Sequence, residues 1–327
     1  MNLGILFGGN SLEHDISIIS AFQLKNKLSK VFNVVMIYCD FEANIYNVSK
    51  NKLDDFKKDK NKFKKTRFVN GGIKNKKIDL MVLIGHGENS EDGVFAGLMR
   101  FYNICFLGSD IFASSLSIDK WNSYLFLREE IPFINKISYN KNDYINKKEI
   151  PFMPAIIKPR FGGSSIGIEI CNKKEELDKL LIKELNDYNE LIIEPFMNNI
   201  EEYTQAVSHN YISKIEVIKK KEYYSFESKY TNDNKFILKD YIVDSKLNEL
   251  SKKIYKLINA SGIIRIDYFK INDRYFVNEI NTLPGALASY LFDNFDDVIL
   301  DEMKYSFNNK VIKYNSLKFL KNSNIQK

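Results

Sequence analysis

Apolar runs of strand length, broken by glycine, alternate with segments of helical spacing over the first hundred residues. Residues 3–7 predict a short buried strand that stops at Gly8-Gly9. Residues 17–28 place Ile18, Ala21, Phe22 and Leu28 near one helical face, and residues 31–38 supply a second strand. Residues 78–84 give a third strand, which runs into Gly85-His86-Gly87; a helix over 94–102 and a strand over 104–107 follow. Strand, glycine turn, helix, strand is the opening of a parallel α/β unit. Residues 41–77 are rich in Lys and Asn, have weak periodicity and read as peripheral structure and loops.

After residue 108 the pattern changes. Residues 117–130 predict one helix carrying Asp119 and Lys120, with Pro132 past its end, and the polar residues 135–149 read as a linker. A strand over 154–158, the turn Phe161-Gly162-Gly163-Ser164-Ser165-Ile166-Gly167 and a strand over 168–171 form a β-hairpin. A helix over 175–185, a strand over 191–196 and antiparallel strand over 203–217 come next. Residues 245–259 set Leu247, Leu250, Ile254, Leu257 and Ile258 at helical spacing.

Residues 262–281, GIIRIDYFKINDRYFVNEIN, hold two alternating apolar runs around Asn272-Asp273-Arg274. A three-residue turn pairs Ile271 with Tyr275, Phe269 with Val277 and Asp267 with Glu279. Side chains alternate faces along a strand, so Arg265, Asp267, Glu279 and Asn281 then share one face at the end remote from the turn. A two-residue turn would put Asp267 and Glu279 on opposite faces, so this set predicts the turn length. Unpaired, these groups are costly to bury. A hard divalent cation relieves the cost, with Glu279 bridging two ions, Asp267 on one and Asn281 on the other. Two ions clamp both ends of a transferring phosphoryl group, and Arg265 faces the charge that develops. The competing reading is an Arg265–Asp267 or Arg265–Glu279 ion pair on an edge strand.

Lys158 stands two residues before the glycine-rich loop 160–167. Glycine lets backbone N–H groups approach and cradle phosphates, and Ser164 and Ser165 add hydroxyl donors. The loop is neither a Walker A loop nor GxGxxG. Lys120 and Lys158 suit α- and β-phosphates as point charges. Glu194 and Glu202, which flank a turn, can accept from an adenine amine or ribose hydroxyls.

Composition removes some classes. The chain has 327 residues, 44% of them hydrophobic and 28% charged, enough for a sizeable core and against wholesale disorder. Its net charge of +6 comes from lysines spread along the chain among acids, not from the basic stripe of a nucleic-acid binder. Cys39, Cys105 and Cys171 are far apart with no CxxC pair, which argues against a disulfide framework or zinc knuckle. With no basic leader and no bilayer-length apolar run, the expected location is the cytoplasm.

In motif order the chain resembles the D-alanine–D-alanine ligases of the ATP-grasp superfamily, most closely the epsilonproteobacterial type. The likeness is carried by LFGGNSLEHDIS from Leu6, HGENSEDG from His86, SLSIDK ending at Lys120, IIKPRFGGSSIG from Ile156, LIIEPF from Leu191, ESKY ending at Tyr230, and IIRID through NEINTLPG ending at Gly285. It implies an α/β chain: an N-terminal parallel α/β (Rossmann-like) domain, 1–108, then a two-part ATP-grasp module. That module comprises a central part with the glycine-rich loop, 109–193, and a C-terminal metal-binding part, 194–327. It also implies a homodimer that uses ATP and two Mg2+ (or Mn2+) to join two D-alanine molecules through a D-alanyl phosphate, for peptidoglycan precursors.

Residue by residue, the resemblance makes Lys120 and Lys158 phosphate-binding, with Gly163 and Ser165 in the loop. Glu194 becomes the adenine-side acid, Glu202 the ribose acid, and Lys229 the lysine that reaches the γ-phosphate. Asp267, Glu279 and Asn281 match metal ligands, while Arg265 and the backbone of Gly285 match groups that stabilise the tetrahedral intermediate. Ser164 and Tyr224 match a hydrogen-bonded pair that positions the first D-alanine with an acid of the first glycine loop. The position matched to that acid is Asp15, where the family has glutamate, and Glu13 reads as structural. Tyr290 stands where the family has a serine for the second substrate's carboxylate, and Ser90 replaces a glycine. Tyr230 goes with D-alanine as second substrate, whereas relatives making the D-lactate ester carry histidine. His86, at a strand end facing the cleft, helps orient substrate. The alternatives are an ATP-grasp ligase with another acceptor, or a weakly catalytic nucleotide-binding relative.

Overall fold

In the computed structural model the described residues are 1–57, 63–163, 166–198, 200–219 and 238–308. The N-terminal part runs β1 (Asn2–Gly8), α1 (His14–Leu28), β2 (Asn33–Cys39), β3 (Ile45–Asn47), β4 (Lys64–Thr66), β5 (Phe68–Val69), β6 (Gly72–Ile73), β7 (Lys76–Lys77), β8 (Leu80–Gly85), α2 (Val94–Phe101) and β9 (Phe106–Leu107). One sheet has the order β4-β3-β2-β1-β8-β9, with β1, β2, β8 and β9 parallel. The expected parallel sheet therefore carries an antiparallel edge, β3 and β4, drawn from the segment read as loops. Strands of three residues are too short to show a period of two. Leu3, Ile5 and Phe7 pack with Ile18, Ala21 and Phe22 of α1, while Leu6, Ile37 and Leu83 pack with Phe95, Ala96 and Met99 of α2 on the other face. Burial on both faces is why these strands read as continuous apolar runs.

The central part runs α3 (Ile111–Ile118), α4 (Lys120–Leu127), β10 (Ile137–Asn140), α5 (Lys141–Ile145), β11 (Ala155–Pro159), β12 (Glu169–Cys171), α6 (Lys174–Asp187) and β13 (Glu190–Pro195). The single helix expected over 117–130 is two helices. Asp119 breaks the run with an extended backbone, and its carboxylate caps α4 by accepting from the Trp121 and Asn122 N–H groups. Residues 135–149, read as a linker, contain β10 and α5, the latter started by a capping box of Asn140 and Asp143. The antiparallel sheet has the order β10-β13-β11-β12 and is covered by Leu181 and Leu185 of α6. β13 continues past residue 193 to Pro195.

The last part holds β14 (Glu202–Val207), β15 (Ile212–Lys219), β16 (Leu238–Ile242), the helix Ser245–Leu257, β17 (Ile264–Ile271), β18 (Arg274–Asn281) and the helix Phe295–Asn308. Its five strands are antiparallel in the order β16-β15-β14-β17-β18, and Leu247 and Ile254 of the first helix pack on them. No helix among the described residues is long and apolar enough to cross a membrane.

The β17–β18 hairpin corrects the expected turn. Ile271 pairs with Arg274, and Asn272 and Asp273 both take positive φ, 46° and 60°, so the turn has two residues with the hand that suits twisted strands. Asp267 nevertheless pairs with Glu279. Tyr268 lies opposite Val277, so Asn278 is an extra residue in β18, a bulge that restores the parity the shorter turn removes.

Candidate active site

The four polar residues of the hairpin do share one face, and Asp267 is its hub. Its oxygens accept from Arg265 Nε at 3.0 Å and Nη2 at 2.8 Å, Thr204 Oγ1 at 2.9 Å and Asn281 Nδ2 at 3.1 Å. The Arg265–Asp267 ion pair is thus present within the same constellation. Burial opposes the Arg265 charge, but Asp267 holds the guanidinium firmly ionised. Glu279 has no hydrogen bond or ion pair among the described residues, and its charge is felt by Lys120. No three His, Cys, Asp or Glu side chains among the described residues cluster as metal ligands. An ion here therefore needs the Asn281 amide and substrate oxygens beside the two carboxylates, a donor set that fits magnesium.

Across the cleft, the Asp119 break sets Lys120 in place. Arg160 donates from Nε and Nη2 to Asp119 at 2.8 and 2.6 Å, and from Nη1 to Glu190 at 2.6 Å. The Lys120 N–H donates to the Arg160 carbonyl at 3.2 Å, and its ammonium reaches the Gly162 carbonyl in the glycine-rich loop. Burial pushes the Lys120 ammonium down, with Glu279 pulling the other way. Lys158, on β11, donates to Glu194 Oε2 on β13 at 2.6 Å, and Lys136 meets Oε1 of the same carboxylate at 2.7 Å. Burial would raise the Glu194 carboxyl, but the two ammonium groups hold it at about 2. The bulged Asn278 reaches Lys158 with Oδ1 at 3.4 Å, joining the two sheets.

The third wall comes from the N-terminal part. Gly8, at φ 89°, turns the chain where a Cβ would stand 2.1 Å from the Cys39 carbonyl. The loop that follows is tied to the end of β8, with Ser11 Oγ donating to the His86 carbonyl at 2.6 Å. Glu13 in this loop is buried, and its carboxylate borders the cleft. A Cβ on Gly163 would stand 3.5 Å from Glu13 Oε2 and 3.7 Å from Glu279 Oε1. Any side chain at Gly163 would therefore enter the space between two carboxylates. Asp15 is exposed in the first turn of α1 and makes no hydrogen bond or ion pair among the described residues. The acid at the cleft is thus Glu13, read from sequence as structural, and not Asp15. Helix phase decides this: two positions along, the side chain has turned away.

His86 is buried, with Nε2 3.2 Å from Ser20 Oγ and Nδ1 3.5 Å from Glu91. A Cβ on Gly285 would lie 3.6 Å from the same serine oxygen, so His86 and Gly285 meet through α1. Ser90 fits in place of a glycine because Gly85 beside it has no side chain, and its hydroxyl donates to the His86 carbonyl at 3.1 Å. Beyond Gly285, Ala286, Leu287 and Ala288 have φ of 46°, 55° and 49°, a strained run held by the burial of Leu287 and Ala288. Tyr290 is half exposed near Arg265; burial pushes its phenol up to about 12, with Arg265 pulling it down. Glu202 opens β14 on the same face as Thr204, opposite Phe269.

Ser164, Ser165, Tyr224, Lys229 and Tyr230 lie outside the described residues. Sequence reasoning passed over Lys136, Thr204 and Asn278 as site residues. Lys136 was hidden in the stretch read as a linker; its signal was a lone lysine between the apolar Phe133-Ile134 and Ile137.

Comparison with known proteins finds relatives over nearly the whole chain. The family profile described as D-ala D-ala ligase N-terminus matches residues 2–109, and D-ala D-ala ligase C-terminus matches residues 128–295. The chain is 36% identical to the D-alanine–D-alanine ligase of Campylobacter jejuni, covering 100% of this chain and 99% of the relative. Among solved structures, the D-alanine–D-alanine ligase of Helicobacter pylori superposes with a TM-score of 0.79 at 29% identity, over 93% of this chain and 99% of that one. The Bacillus anthracis enzyme complexed with ATP shares the fold, with a TM-score of 0.67 at 23% identity over 94% of this chain and 99% of that one.

Proposed function

The chain belongs to the D-alanine–D-alanine ligase family, and from that premise we infer that it joins two D-alanine molecules to D-alanyl-D-alanine at the expense of ATP, for peptidoglycan precursors. The observation that carries this reading is the convergence on one cleft of Glu13, the Lys120–Lys158 pair and the Arg265–Asp267–Glu279–Asn281 face.

The work divides among the three walls. Lys120 and Lys158 lie against the α- and β-phosphates, with the Gly163 backbone closing over them and Glu194 and Glu202 taking the adenine and ribose. Glu13 takes the ammonium of the first D-alanine and leaves its carboxylate directed at the γ-phosphate. Asp267, Glu279 and Asn281 hold divalent cations, Mg2+ or Mn2+, which neutralise the phosphate charge when bound. The substrate carboxylate attacks the γ-phosphorus, the bond to ADP breaks, and D-alanyl phosphate forms. The amine of the second D-alanine then attacks the acyl carbon. Arg265 and the Gly285 N–H stabilise the oxygen charge that develops before phosphate leaves. Tyr290 borders the second substrate's carboxylate. His86 positions substrate through Ser20, and Ser164, Ser165, Tyr224, Lys229 and Tyr230 take the roles the family pattern gives them. The family likeness also supports three domains with boundaries near 108 and 193, and a homodimer in the cytoplasm, which light scattering of the purified chain tests.

Phosphate release from ATP and magnesium is measured with and without D-alanine, with mass spectrometry of the product. D-alanine-dependent release and a D-alanyl-D-alanine mass are the expected result. Release without D-alanine dependence would retain an ATP-using enzyme and reject the substrate.

A further inference from the structure

One charge in the nucleotide wall is not explained by any role assigned above. Lys136 stands immediately before β10, its side chain 3% exposed, and it reaches the carboxylate that also holds Lys158. Glu194 is 4% exposed and Lys158 9%. Two ammonium groups therefore share one carboxylate, one on each oxygen, at 2.7 and 2.6 Å. Lys136 is also flanked by two aromatic rings, at 5.5 Å from the Phe133 centroid and 5.7 Å from that of Tyr124. Rings in that position stabilise a cation that has lost its water.

A lysine buried with a glutamate is locked when the two are alone. If Lys158 turned from Glu194 towards a phosphate, it would leave a buried carboxylate without a partner, which is strongly unfavourable. A second lysine removes that obstacle. With Lys136 on Oε1, Glu194 stays neutralised whether Lys158 sits on Oε2 or on the nucleotide. The pair also leaves a surplus positive charge in the wall before nucleotide arrives. We propose that Lys136 is a positioning residue for nucleotide binding: a resident counter-ion for Glu194 that frees Lys158 to engage the phosphates of ATP. This deepens the ligase reading and rests on its assignment of the Lys158 wall to ATP.

The test compares Lys136→Met, Lys136→Gln and Lys136→Arg with the parent chain. KM for ATP, KM for D-alanine and kcat are measured, with calorimetric binding of ADP and of adenosine. Losing the counter-ion raises the KM for ATP and the Kd for ADP about tenfold or more in the Met and Gln variants. Adenosine affinity, kcat and the KM for D-alanine stay within about threefold, and Lys136→Arg restores ADP binding to within about threefold of the parent. The Gln variant, which keeps one hydrogen bond to Glu194, carries the comparison if the Met variant does not fold. ADP affinity within about twofold of the parent in the Gln variant would overturn the proposal. So would equal losses for ADP and adenosine, because Lys136 would then shape the base pocket and not release Lys158. A parent chain that binds neither ADP nor ATP would instead remove the nucleotide assignment itself.

Discussion

Replacing Glu194 with Gln changes charge and almost nothing else. The side chain keeps its volume, so no cavity opens, but Lys136 and Lys158 lose the anion between them. Removing one member of a buried ion pair typically costs about 3–5 kcal/mol. The structure gives a second route to the magnitude. The two lysines draw the Glu194 carboxyl from its ordinary 4.5 to about 2. That is worth about 3 kcal/mol, at about 1.4 kcal/mol per pH unit. Glu194→Gln is therefore expected to lose about 3 kcal/mol of stability at about pH 7.

The pH dependence carries a sign. Burial already pushes Lys120 and Lys136 down, and without Glu194 the folded state binds its lysine protons less tightly than the unfolded chain does. Stability of the variant then rises with pH, and its deficit narrows by about pH 9.5. The parent behaves differently at the acid end. Its folded Glu194 pKa is depressed, so the contribution is complete above 4.5 and is lost as pH falls towards about 2. Urea unfolding followed by far-UV circular dichroism and Trp121 fluorescence measures both arms. A deficit below about 1 kcal/mol at about pH 7, or one unchanged at about pH 9.5, would refute the charge-pairing argument.

Glu13→Gln is expected to reduce kcat/KM for D-alanine by about two orders of magnitude, and Asp15→Asn to leave it within about twofold. Steady-state kinetics with D-alanine varied decide between the two acids. Deleting Asn278 removes the bulge but leaves Val277 opposite Tyr268 and Glu279 opposite Asp267, so the polar face persists and ligase turnover stays measurable, as it does in Asn278→Ala. Loss of turnover in the deletion variant, with turnover kept in Asn278→Ala, would show that the bulged backbone itself is needed to shape the site. Glu279→Gln abolishes magnesium-dependent turnover while ADP binding without metal persists, checked by phosphate release and calorimetry.

Much of the fold was legible because each cue was local. Residues 3–7, 35–38 and 80–84 are apolar runs buried on both faces of a parallel sheet, and the glycines after the first and third mark where turns begin. The alternation along residues 264–281 placed Arg265, Asp267, Glu279 and Asn281 on one face, which holds. Lys158 and Glu194 could be named as site candidates from strand ends and a glycine-rich loop. The sequence by itself could not say that they form an ion pair, because they meet only when β11 and β13 become neighbours.

Tertiary structure decided the rest, through distances that no spacing rule contains. The two-residue turn and the bulge at Asn278 compensate each other, so the sequence yielded the correct face by an incorrect path. Residues 135–149 are polar and looked like a linker, yet residues 137–145 form an edge strand and its helix, and Lys136, just before that strand, is buried only because Tyr124, Phe133 and Glu194 enclose it. Glu13 and Asp15 are both acids in one short motif. What separates them is the phase of α1 and the approach of Gly163 from a different sheet. Local pattern determined which residues could do chemistry, and long-range packing determined which charges face one another, because the cost of an unpaired buried charge is set by neighbours distant in sequence.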